Sequence, residues 1–99
     1  MKADLPKNIN VLVERIVALL NPSQVILYGS RSRGTHHHLS DFDIAVVCQN
    51  NPKGWSDLHW ELEEGVLTLY PVDIVDYNDA SDLLKEQISK DGEILYDRN

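Results

Sequence analysis

The chain has one cysteine, five glycines, four prolines and no long apolar run, and each scarcity removes a class of protein. A lone Cys48 inside the apolar stretch Ala45-Val46-Val47-Cys48 forms no intramolecular bridge, which excludes a disulfide scaffold and suits a compartment where thiols stay reduced. No stretch approaches the ~18 consecutive apolar residues of a membrane span, and Met1-Lys2-Ala3-Asp4 is not followed by an apolar signal core. A cytoplasmic protein with no membrane partner is therefore expected. Repeats, low-complexity tracts and Gly/Pro/Ser-rich linkers are also missing, so residues 1–99 are read as one domain. At 42% hydrophobic and 25% charged, the chain can bury a core of its own.

Basic charge is scarce too: 9 Lys and Arg stand against 16 Asp and Glu, for a net charge of −7. The imbalance lies in the second half, where residues 51–99 hold four basic and twelve acidic groups. Such a surface repels a phosphate backbone, and Arg31 with Arg33 is the one compact basic pair. Direct nucleic-acid binding is not expected. An acidic chain of this kind suits a divalent cation or a basic partner.

What is present is a tight series of short elements. Ile9, Leu12, Val13, Ile16, Val17 and Leu20 fall on one helical face, with Asp4 as a candidate cap and Asn21-Pro22 as the stop. Gln24-Val25-Ile26-Leu27-Tyr28 predicts a strand ended by Gly29-Ser30. The segment 41–47 alternates at its start and becomes continuously apolar, as a central strand does. Trp55, Leu58, Leu62, Val66 and Leu69 predict a helix with Ser56 as N-cap, a Trp55–Trp60 staple and Pro71 as terminator. Val72 to Asp76 predicts a third strand. Asp79 or Ser81 caps a last helix through Leu83, Leu84 and Ile88, Gly92 follows it, and residues 93–96 add an edge strand. The order αβ-turn-βαβα is an α/β fold with a small mixed sheet and covering helices.

A helical crossover between the second and third strands favours a parallel pair, whereas the loop between the first and second favours an antiparallel one. The end of strand one and the starts of strands two and three then share one edge of the sheet. That edge collects Gly29-Ser30, Asp41, Asp43 and Asp73. Residues two apart on a strand point to the same face about 6.5–7 Å apart, so Asp41 and Asp43 aim together and Asp73 joins them, with Asp76 as the alternative third acid. Grouped carboxylates repel one another unless a cation intervenes, and hard oxygen ligands select Mg²⁺ or Mn²⁺. A pair of such ions about 3.5–4 Å apart is what in-line phosphoryl displacement uses. Beside them, Gly29-Ser30-Arg31-Ser32-Arg33-Gly34 reads as a phosphate cradle: Gly29 admits close backbone, Ser30 offers an N–H and a hydroxyl, and the arginines balance charge. It matches neither the P-loop nor the Gly-x-Gly-x-x-Gly pattern. His36-His37-His38 lies between cradle and acids and reads as a solvated loop, and Trp60 as a residue able to join an interface.

Gly29-Ser30, ten residues, Asp41-Phe42-Asp43 and a later Asp73 together resemble the signature of the DNA polymerase β-type nucleotidyltransferase superfamily. Residues 27–34 and 40–46 in particular resemble the MNT-type minimal nucleotidyltransferases of prokaryotes, over nearly the whole chain. The resemblance implies that Asp41 and Asp43 are metal ligands, that Asp73 is the third carboxylate and helps activate the attacking group, and that Gly29 and Ser30 contact the triphosphate, with Arg33 or Arg31 adding to them. It implies Mg²⁺, two ions, as cofactor and ATP as substrate. Larger members add a domain for the acceptor, so here the acceptor is expected on another molecule. The resemblance implies a helical HEPN-type toxin, held in a hetero-oligomer, that receives AMP on a tyrosine and is silenced, the chain being its antitoxin. Two other readings stay open: a nucleotide-binding module that neutralises its partner by contact alone, and a transferase for a small molecule or an RNA end.

Overall fold

The computed structural model describes residues 5–34, 41–65 and 71–98. The first helix, α1 (Lys7–Leu20), buries Ile9, Leu12, Ile16 and Leu20 of the stripe its periodicity announces, and leaves Val13 and Val17 half-buried at its edge. Pro6 occupies its N-cap without a side-chain hydrogen bond, while the candidate cap Asp4 lies outside the described residues. Asn21 ends it in the left-handed conformation (φ 47°), and its N–H reaches Val17 O. Strand β1 (Gln24–Tyr28) follows, then a single turn of helix, α2 (Ser30–Arg33). β2 covers Phe42–Val47, so Asp41 stands just before the strand rather than within it.

The second long helix, α3 (Pro52–Glu63), starts four residues before the Ser56 cap the sequence suggested. Asn51 caps it instead: its Oδ1 accepts from Gly54 N at 3.0 Å while its Nδ2 donates to Leu19 O at 3.1 Å, tying the new helix to the end of α1. Pro52 suits the first turn because its missing N–H would have no acceptor there. The expected Trp55–Trp60 staple is absent, since Trp55 packs on the core near His59 and Trp60 is exposed. The described helix ends at Glu63, so Pro71 does not terminate it; Val66 and Leu69 lie outside the described residues. After β3 (Val72–Asp76) and a 3-10 turn at Tyr77–Asp79 come α4 (Asp82–Asp91) and the edge strand β4 (Glu93–Asp97). Of the two candidate caps of α4, Ser81 takes the role, accepting from Leu84 N at 3.1 Å. Gly92 ends α4 with φ −67°, not left-handed; glycine is needed there because a Cβ would run into Ile88 O and the Ile26 side chain.

The sheet order is β3-β2-β1-β4; β1 is antiparallel to β2 and β2 parallel to β3, as expected from the connections, and β4 pairs antiparallel with β1. Its two faces are covered unequally. α1 and α3 bury the larger core on one face, with Leu58 against Val25, Leu27, Phe42, Ile44, Val46 and Leu95. On the other face α4 covers a smaller cluster of Tyr28, Ala45 and Ile88, flanked by Ile26, Val75 and Leu84. Cys48 is a buried free thiol in the larger core. Among the described residues no helix is long and apolar enough to cross a membrane.

Candidate active site

The parallel register sets Asp43 beside Asp73, and the antiparallel one sets Tyr28 beside Asp43, so the three form a row across β1, β2 and β3. Phe42, Ile44, Val72 and Ile74 point to the larger core, which sends Asp43 and Asp73 to the opposite face, the one carrying α4. Asp73 and Asp41 are exposed and Asp43 is half-buried. Asp76, the alternative third acid, is not part of this row. It sits at the far end of β3 opposite Val46, where its carboxylate accepts from Asn78 N at 3.0 Å.

The electrostatics follow from this placement. Burial, then Asp73 and Asp41, push the Asp43 carboxyl above the ordinary carboxylate range, while Arg33 pulls it back. Burial and then the negative charges of Asp43 and Asp73 push the Tyr28 phenol up to about 12, so it stays protonated beside the acids. Among the described residues no three His, Cys, Asp or Glu side chains are gathered to metal-holding spacing. The site is thus a row of carboxylates within electrostatic range, not a closed cage. An all-oxygen donor set whose central member is held against repulsion fits a hard divalent cation that takes the rest of its shell from elsewhere.

The cradle is built against that row. Gly29 has φ +76°, and a Cβ on it would overlap the Asp43 carboxylate oxygen, so only glycine lets the turn lie this close to the acid. The N–H groups of Ser32 and Arg33 both reach Gly29 O at 3.1 Å, winding α2 immediately after it. The two arginines separate. Arg31 stacks its guanidinium 4.1 Å from the centre of the Phe42 ring. Arg33 turns to the acidic side, where Nη1 lies 2.8 Å from Asp91 Oδ2 and its charge is felt by Asp43. The structure therefore brings together Gly29, Arg33, Asp41, Asp43 and Asp73, with Ser30 opening the turn and Arg31 over the Phe42 ring. His36-His37-His38 lies outside the described residues. Asp91 escaped the sequence reading, although its signal was present: an acid in the last turn of a helix, where the dipole favours bases.

Residues 10–99 match the family described as Polymerase beta, Nucleotidyltransferase. The chain belongs to that family. Among curated proteins it is 35% identical over 74 residues to the protein adenylyltransferase MntA of Shewanella oneidensis, covering 73% of this chain and 52% of MntA. It thus spans about half the length of that relative. Among solved structures it superposes on a chain of a toxin–antitoxin complex with AMP-PNP at a TM-score of 0.73, with 27% identity over 95% of this chain and 76% of that one. A complex of a tri-AMPylated Shewanella oneidensis HEPN toxin with its MNT antitoxin gives a TM-score of 0.57 and 25% identity, over 89% of this chain and 71% of that one. The minimal nucleotidyltransferase fold expected from the sequence is the fold observed.

Proposed function

We propose that this chain transfers AMP from ATP to a tyrosine hydroxyl of a HEPN-type partner and so acts as its antitoxin. The observation that carries the reading is the pairing of Asp43 with Asp73 and the packing of Gly29 against the Asp43 carboxylate, which supports reading the turn as a phosphate cradle beside a cation site. The MntA adenylyltransferase and the AMPylated toxin complex support the choice of AMP and of a protein acceptor.

In this reading Gly29 and Ser30 hold the triphosphate through their backbone, and Arg33, on the acidic side of α2, adds a charged contact. Mg²⁺, as two ions held by Asp41, Asp43 and Asp73, would neutralise triphosphate charge and favour departure of pyrophosphate. Asp73, the exposed acid of the row, meets the incoming acceptor. The acceptor oxygen bonds to the α-phosphorus as the α–β anhydride bond breaks, pyrophosphate leaves, and the hydroxyl proton passes to an Asp73 carboxylate oxygen. Tyr28, kept protonated, takes no part as a base. AMP on the partner adds negative charge and bulk, which opposes RNA binding there.

The test is transfer from ATP labelled at the α-phosphate, with Mg²⁺, in the co-purified complex. Label on the partner supports the reading, and γ-label should not transfer. A second reading, neutralisation by contact without turnover, draws on the open spacing of the acids. It predicts inhibition with no label on the partner.

A further inference from the structure

The Asp91 carboxylate is out of keeping with its surroundings. It is the last residue of α4, where the helix dipole is negative and an acid is disfavoured, and its side chain is only 14% exposed. A charge placed against the local field and largely removed from water persists when something else requires it. Here both polar groups of Asp91 are turned toward α2. Its carboxylate holds Arg33 at 2.8 Å, and its main-chain carbonyl accepts from the Ser32 hydroxyl. One helical turn of four residues is therefore bonded at two consecutive side chains to one residue 58 positions away. The anchor itself is fixed, because Gly92 N donates to Ile88 O at 2.7 Å and the contact of Gly92 with Ile26 leaves no room for a Cβ.

This matters because an isolated four-residue turn has no stability of its own. Arg33 is also a long side chain, 42% exposed, which without a partner samples many rotamers. We propose that Asp91 is a positioning residue for the nucleotide site: it orients Arg33 over the acidic face and locks α2 through Ser32, making the end of α4 part of the support of the phosphate cradle. The proposal rests on the reading of α2 as the triphosphate contact. Asp91 does not touch substrate; it acts through Arg33, which reaches the triphosphate pre-oriented and so loses less freedom on binding.

The experiment is calorimetric binding of ATP with Mg²⁺ to the full chain and to Asp91→Asn, Asp91→Glu, Arg33→Ala and the Asp91→Asn/Arg33→Ala double variant, with thermal melts of each. Asp91→Asn keeps the shape and the carbonyl bond to Ser32 but loses the charge. It should weaken ATP binding about fivefold, the size expected of a partly exposed charged pair. Asp91→Glu should recover part of that loss, and in the Arg33→Ala background Asp91→Asn should change nothing further. In transfer assays the effect should appear in KM for ATP, with kcat within about twofold. A merely structural Asp91 would lower the melting temperature and weaken binding equally whether or not Arg33 is present, and that additivity would overturn the proposal. Unchanged affinity in Asp91→Asn, with the wild-type chain binding ATP normally, would overturn it as well. If the wild-type chain binds no ATP, the nucleotide-site reading itself falls, and the proposal with it.

Discussion

Gly29→Ala separates two costs that are usually entangled. Gly29 has φ +76°, and the left-handed region costs a residue with a Cβ about 1–2 kcal/mol. Gly65, just after the end of α3, has φ +69° and, among the described residues, nothing within 4 Å of the position its Cβ would take, so Gly65→Ala is expected to suffer the backbone cost alone. For a domain of this size that is a fall in melting temperature of roughly 5–15 °C. Gly29→Ala adds a second cost, because its Cβ overlaps the Asp43 carboxylate, and either the carboxylate rotates or the turn withdraws. A displacement of about 1 Å in reacting groups costs on the order of 100-fold in rate. The assay is AMP transfer and Mg²⁺-dependent ATP binding measured on both variants at a temperature where each is folded. Gly65→Ala should retain wild-type activity with reduced stability, and Gly29→Ala should lose about 100-fold in transfer. Equal activity in the two folded variants would refute the claim that contact between cradle and acid, rather than backbone freedom, requires glycine at position 29.

Asp41→Asn with Asp43→Asn should abolish transfer while leaving the apo melting temperature unchanged or higher. Because the folded state raises the Asp43 pKa, the ionised carboxyl opposes folding at neutral pH, and this burden is lifted as pH falls through that raised value. Any stability gained by the double variant should therefore be largest near pH 7 and shrink in acid, as thermal melts across pH will show. Mg²⁺ should raise the melting temperature more with ATP than alone, since the acids do not form a cage by themselves; equal shifts would contradict the shared-ligand picture. Leu58→Ala should cost about 2–5 kcal/mol in denaturant unfolding, because Leu58 is fully buried, whereas Trp60→Ala, at an exposed position, should cost under about 0.5 kcal/mol.

The site was more legible in the sequence than the helix ends. Strand positions carry a period of two and crossover length fixes direction, so pattern alone sets Gly29, Asp43 and Asp73 at one edge of the sheet. The start of α3 differs from the local pattern because Asn51 caps through contacts on both sides, to Gly54 and to Leu19, and the latter lies 32 residues away. Local pattern favoured Ser56 because it carries no information about such a contact. The two arginines, equivalent in the sequence, are separated by tertiary partners, Phe42 for Arg31 and Asp91 for Arg33. The partner of Asp91 was not legible for the same reason, although its place at the end of a helix was. Its unfavourable place in α4 makes sense only once α2 is seen beside it.

The central claim is that this acidic row performs adenylyl transfer to a partner protein. Intact-mass spectrometry of the partner, after incubation of the complex with ATP and Mg²⁺, tests it most directly. The partner's mass should rise by one or more AMP units and its own activity should fall, with neither change for the Asp41→Asn/Asp43→Asn chain. A partner silenced without added mass, and silenced equally by the double variant, would contradict it.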